Sequence, residues 1–178
     1  MPARFILELY YLVVSYTRTV EGTVDTESRD SPALKLWVVL ARACSAIEAR
    51  ATADAASHGL SLAEFGVLEA LYHKGPMLLG ELQRKVLISS AGITYVVDQL
   101  EEKELVERRP CPEDRRARYA ALTRKGKALI QRIFPDHARM LERVLSGLSV
   151  REQRQATELL RRLGRRAAEP ELEDSLAS

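Results

Sequence analysis

Residues 108 to 127, RRPCPEDRRARYAALTRKGK, constrain the fold more than any other stretch of this chain. They read as a short strand, a proline-stiffened loop tipped with Asp-Arg-Arg, a second strand and the capped start of a helix. Val106 to Arg109 and Arg118 to Leu122 are short enough to pair as a hairpin around a Pro110 to Ala117 loop. Pro110 and Pro112 offer no backbone N–H, so that loop is stiff and unsuited to extending a sheet. Immediately upstream, SSAGITYVVDQLEEKELV (89 to 106) opens on small polar residues and continues as an amphipathic helix. A helix presenting small polar side chains, followed by a hairpin carrying guanidinium groups, suits two adjacent grooves of a DNA duplex.

The pattern predicts a winged helix-turn-helix: a mainly α fold with a small β-hairpin wing, flanked by long helices. From Ser31 the punctuation is legible. Ser31 precedes Pro32 as a cap, and the helix running to about Ser57 places Trp37, Leu40, Ala41, Cys44 and Ile47 on one broad stripe. His58-Gly59 ends it. SLAE (61 to 64) is a capping box that opens a second helix with Phe65, Leu68, Leu71 and Tyr72 inward, stopped by Gly75-Pro76. GELQRKVLI (80 to 88) gives a short third helix, and Ser89 caps the fourth. In the fourth helix Ile93, Val96 or Val97, and Leu100 face the core, which leaves Ser90, Gly92, Thr94, Tyr95, Asp98 and Gln99 on outward or flanking positions. Thr123 caps a long fifth helix, kinked where Pro135 costs a backbone bond to Gln131. SVRE (149 to 152) caps a last helix with Ala156, Leu159, Leu160 and Leu163 inward. The apolar stripes of the terminal helices are generous for a domain this small, and a dimer would bury them.

Composition excludes more than it assigns. A formal charge of +2 is too small to argue for nucleic acid, but residues 104 to 127 hold eight Lys or Arg against four acids, so the charge is local. Two cysteines, Cys44 and Cys111, make no disulfide framework, and a reducing cytoplasm is the default expectation. No cofactor or metal is expected. No apolar run is long enough to span a membrane. Enzymatic signatures are missing too: the chain has no Gly-rich phosphate loop, nucleophile elbow or HExxH, and no convincing pair of carboxylates. FILELYYLVVSY (5 to 16) is apolar and aromatic, and a polar stretch follows it from 17 to 31. That segment fits an extra element packed on a dimer, a targeting remnant, or sequence upstream of a start near Val24; the last is the expectation, because the helical pattern begins at Ser31-Pro32.

Read together, L-S-L-A-E-F-G-V-L (60 to 68), G-E-L (80 to 82), I-T-Y-V-V-D-Q-L-E (93 to 101), L-V-E-R-R (105 to 109), D-R-R (114 to 116) and L-T-R-K-G (122 to 126) resemble the MarR family of bacterial transcription regulators. The resemblance covers roughly residues 34 to 166. Where many relatives carry Gly, this chain has Glu104, which strains that helix end. IFPDHA (133 to 138) looks like a subgroup that includes regulators of quinone and phenol detoxification. With the residue pattern beyond its ends, the resemblance gives the expected organisation: an N-terminal extension (1–30) that is disordered or outside the native start, a dimerisation helix (31–58), a DNA-binding domain (59–122), further dimerisation helices (123–168) and a tail (169–178). It also implies a homodimer on double-stranded palindromic DNA, with half-site centres about 10 bp apart. Such proteins repress their own and neighbouring efflux or detoxification genes, and small aromatic compounds or cysteine oxidation release them.

On that reading the small residues at the start of the fourth helix let its backbone approach DNA, and its N–H groups favour a phosphate. Ser90, Gly92, Thr94, Tyr95 and Gln99 form the reading face, with Ser89 as the cap. Arg115 and Arg116 at the loop tip, with Arg118 beside them, suit a narrow minor groove. By family analogy Asp114 fixes the loop through an ion pair with an arginine. Candidate effector contacts are Trp37, Phe65, Tyr72 and Phe134, with Cys44, His58, His73 and His137 nearby and the histidines at the surface or at helix ends. Cys111, between two prolines among arginines, favours thiolate and is a candidate for oxidation, or else a small tolerated loop residue. The relatives that sense oxidants carry their thiol nearer the start of the first helix, so Cys44 does not inherit that role. A winged-helix module that binds protein instead of DNA is the alternative reading, and the basic wing tip argues against it.

Overall fold

The computed structural model describes residues 31–110 and 118–169. Its elements are α1 (Pro32–Ser57), α2 (Leu62–Lys74), β1 (Met77–Leu78), α3 (Leu79–Val86), α4 (Ser90–Glu102), β2 (Val106–Pro110), β3 (Arg118–Leu122), α5 (Arg124–Leu145) and α6 (Val150–Ala167). Two compact units divide the chain, Met1–Met140 and Leu141–Ser178. The mainly α winged architecture expected from the sequence is the one found.

Local chemistry sets most boundaries. Pro32 starts α1 on its fixed φ, as expected, but the Ser31 hydroxyl makes no capping bond; its carbonyl instead accepts from the Lys35 N–H at 3.1 Å. Gly59, at φ 72, turns the chain so that the Leu60 N–H reaches the Ala55 carbonyl at 3.1 Å. The capping box of α2 is complete: the Ser61 N–H donates to Glu64 Oε2 at 2.7 Å, and the Glu64 N–H donates to Ser61 Oγ at 3.2 Å. Thr123 Oγ1 caps α5, accepting from the Gly126 N–H at 3.0 Å while it donates to the Glu104 carbonyl at 2.7 Å. Gly126 is buried, and a Cβ there would stand 2.8 Å from the Leu105 carbonyl carbon, so only glycine lets α5 lie against that backbone. Helix α5 runs unbroken past Pro135.

The sheet departs from the expected hairpin in two ways. It has three strands in the order β1-β3-β2, with Met77 opposite Ala120 and Leu78 opposite Tyr119. Two residues after Gly75-Pro76 are too short to show an alternating pattern; tertiary pairing with β3 makes them a strand. The β2–β3 ladder also reaches Pro110, opposite Arg118, where a loop was expected. Proline is tolerated there because β2 is an edge strand whose outer side needs no donor.

The core of the first unit joins Phe65, Val67, Leu68 and Leu71 of α2 to Leu82, to Ile93, Val96, Val97 and Leu100 of α4, and to Ile130 and Ile133 of α5. Each large side chain removed from water there contributes about 1.5–3 kcal/mol. Both valines of α4 are buried where one was expected. By contrast α1 buries only Ala51 and Ala55, and Trp37 is 44% exposed with Cys44 outside the core. In the second unit α6 opens on a complete Ser149/Glu152 capping box. It buries none of its residues: Leu159, Leu160 and Leu163, expected inward, lie 42–48% exposed in the single chain.

Candidate nucleic-acid interface

Helix α4 has two unlike faces because its apolar residues recur at helical spacing. Ile93, Val96, Val97 and Leu100 are sunk in the core, and Ser90, Thr94 and Tyr95 stand exposed on the other side, Tyr95 at 65%. Ser89 Oγ accepts from the Gly92 N–H at 3.1 Å, so Ser89 is a cap and Gly92 keeps the turn slim. Thr94 Oγ1 donates to the Ser90 carbonyl at 3.2 Å, which leaves its oxygen free to accept. Gln99 is half-buried, its amide donating to Glu102 Oε2 at 3.1 Å. Before the helix, Leu87 occupies the left-handed region (φ 57) and is 86% exposed. Sequence reasoning missed it, because nothing in VLISS marks a positive φ.

Arg108 is the second residue that sequence reasoning passed over. From β2 its guanidinium reaches Asp98 Oδ1 at 2.6 Å and pairs with Glu101, and it donates to the Thr94 carbonyl at 3.4 Å. The Arg108 N–H also donates to Glu101 Oε1 at 2.8 Å. One side chain therefore ties the wing strand to the exposed face of α4 and neutralises two carboxylates there. The only hint in the sequence was the i, i+3 pair of acids on α4, which needed a partner from another element. Arg109 pairs with Glu107 at 2.6 Å on the same strand. Arg118 lies opposite Pro110 in the ladder. Asp114, Arg115, Arg116 and Cys111 lie outside the described residues.

The far end of α4 is pinned by Lys103, which donates to the Gly59 carbonyl at 3.0 Å and pairs with Glu64 at 2.7 Å. Burial pushes the Glu64 carboxyl up, but hydrogen bonds from Lys103 and Ser61, with the Lys103 charge, outweigh it and hold the group below its ordinary value.

A cleft of about 1010 Å³ opens beside the start of α4. Phe65, Gly66 and His73 of α2 line it, with Val86 to Ser89, Gly92 of α4 and His137 of α5. Of the four aromatic candidates only Phe65 borders this space. Tyr72 and Phe134 pack against the core with centroids 6.2 Å apart, and Trp37 sits on the exposed face of α1. His137 is not the surface group expected: it is 5% exposed, with Nδ1 2.7 Å from Asp54 Oδ2. His73 and His58 keep the outer positions read for them, His58 as the cap residue of α1. Among the described residues no cluster of His, Cys, Asp or Glu could hold a metal, and no helix is long and apolar enough to cross a membrane.

The model of the MarR family matches residues 60–117. The HTH-type transcriptional regulator MhqR of Bacillus subtilis is 47% identical over 131 residues, which cover 74% of this chain and 90% of MhqR. The chain belongs to the MarR family. Its members are transcriptional regulators, not enzymes, and the same holds for this chain. Two solved structures show the same fold. Bordetella bronchiseptica BpsR, whose DNA binding is regulated by 6-hydroxynicotinic acid, is 26% identical with a TM-score of 0.67 over 73% of this chain and 98% of its own. Streptomyces coelicolor Sco3205, solved in complex with DNA, is 20% identical with a TM-score of 0.72 over 86% of this chain and 95% of its own.

Proposed function

We propose that this MarR-family chain is a homodimeric repressor in the cytoplasm that reads a palindromic operator upstream of its own and neighbouring detoxification or efflux genes. Ser90, Gly92, Thr94, Tyr95 and Gln99 would face a major groove, and Arg115, Arg116 and Arg118 the flanking minor groove, with Asp114 holding the wing. The observation that carries the reading is the split character of α4, an apolar side locked into the core and a small polar side left outward, with Arg108 holding it to the wing. The exposed apolar residues of α1 and α6 support a second copy as the partner. A small aromatic ligand, phenol- or quinone-like, would release the DNA by occupying the cleft, whose walls include Ser89 and Gly92 at the start of the reading helix. The regulation of BpsR by a hydroxylated aromatic acid supports an effector of this size. Thiol modification at Cys111 is the second proposed release route.

The test is a titration of the protein onto its own upstream intergenic DNA and onto a scrambled duplex at several salt concentrations. A preference of order 10³ for the natural site, with affinity falling steeply as salt rises, is the expected result. Arg115→Ala/Arg116→Ala should fold and dimerise yet bind weakly and with a shallower salt slope. Equal affinity of that variant and the wild type at moderate salt would remove the wing from the mechanism.

A further inference from the structure

We propose that Leu87 is a specificity-determining residue of the DNA site: from the turn before α4 it covers the 5-methyl group of a thymine in each half-site. This rests on the DNA-binding reading above and adds a base contact to it. At 86% exposure Leu87 is the most exposed large apolar side chain among the described residues. The exposed apolar residues of α1 and α6 lie several to a helix, whereas Leu87 stands alone between polar neighbours. Its backbone occupies the left-handed region at φ 57 and ψ 40, where a Cβ crowds the following carbonyl and glycine or asparagine is the usual occupant. Leucine therefore costs the folded chain twice, in backbone strain and in apolar surface left in water.

The turn cannot relax to hide the side chain. Val86 and Ile88 pack against the core on either side of it. The Leu87 and Ile88 N–H groups both donate to the Gln83 carbonyl, that of Ile88 at 3.4 Å. Leu87 is thus presented in a fixed direction, and binding costs it little further ordering. Its surroundings select the partner. Arg84 and Lys85, both exposed, close α3 ahead of it, and the exposed Ser89 and Ser90 open α4 behind it. An apolar protein surface would have to desolvate those two cations, but a duplex takes them against its phosphates. In the major groove that duplex offers an apolar group at a base edge, the thymine 5-methyl. Leu87 precedes the Ser89 cap by two residues, so the groove that receives the start of α4 receives it too.

The test is a thymine scan of the operator, taken as the segment of upstream intergenic DNA that the full chain protects from cleavage. Each thymine is replaced in turn, in both half-sites, by deoxyuridine, which removes the methyl and leaves every hydrogen-bonding group. Wild type, Leu87→Gly and Leu87→Asn are titrated on each duplex, and melting curves accompany them. At one thymine position wild type should lose about fourfold in affinity per half-site, and both variants should lose nothing there. Positions touched by other residues should cost all three proteins alike. Both variants should also melt higher than wild type, by about 2 °C or more, while binding the natural operator more weakly. A scan in which no position separates wild type from the variants overturns the Leu87 contact and leaves the DNA-binding reading standing. Variants that melt lower than wild type overturn it too, since Leu87 would then serve the fold. Wild type that binds the upstream segment no better than a scrambled duplex overturns the contact and the DNA-binding reading together.

Discussion

Glu104 occupies the left-handed region at φ 60, where a Cβ crowds the following carbonyl. The position is forced: its carbonyl accepts from Thr123 Oγ1 at 2.7 Å, so the chain must turn there to bring α5 onto the end of the wing. Its side chain pairs with Lys125 at 2.9 Å, but both groups are exposed and the pair offsets little of the strain. Glu104→Gly should therefore raise the melting temperature, by about 2 °C or more, with DNA affinity unchanged. Thermal unfolding beside a DNA titration checks both halves. Glu64 makes a different prediction. Its carboxyl sits below its ordinary value in the folded chain, so the unfolded chain binds the proton more readily. Its contribution is complete above the ordinary glutamate value and fades as pH falls through the lower, folded one. Wild type should be more stable than Glu64→Gln at neutral pH, and the gap in melting temperature should narrow as the solution is acidified below about pH 4.

The element that matters for DNA is α4, and its setting depends on neighbours at both ends. Lys103 pins its C-terminal end to the turn before α2, and Arg108 bridges Asp98 and Glu101 from β2. Without Arg108 two carboxylates on the exposed side of α4 would stand unneutralised beside a phosphate backbone, and the wing would lose its link to the helix. Arg108→Ala should lower affinity for the natural operator by about tenfold, a larger change than its effect on melting would suggest. Arg108→Lys should restore little, because an ammonium cannot bridge both acids while reaching the Thr94 carbonyl. Matched titrations on operator and scrambled duplexes test this: a variant that loses both affinities equally would show bulk charge, not helix placement, to be the cause.

For the whole molecule, the leucines of α6 and Leu34, Leu36, Trp37 and Val39 of α1 stand exposed among the described residues, apolar surface of the kind a partner covers. Leu159→Glu/Leu163→Glu should give a monomer by light scattering and lose operator affinity, since two half-sites then bind independently. Operator binding at wild-type affinity by a proven monomer would reject the dimer as the binding unit. Much of this molecule was legible in the sequence because its signals are local. Capping boxes at Ser61 and Ser149, the Gly59 and Gly75 stops and the apolar repeat of α4 act within a few residues, and the strain at Glu104 followed from the family pattern. The order L-S-L-A-E-F, D-R-R, L-T-R-K-G sufficed for the family. What only the tertiary structure decided are contacts between residues far apart in the chain: β1 as a strand against β3, Arg108 as the link to α4, and His137 buried against Asp54. Each owes its role to a partner brought by another element, and no periodicity or spacing in one segment carries that information.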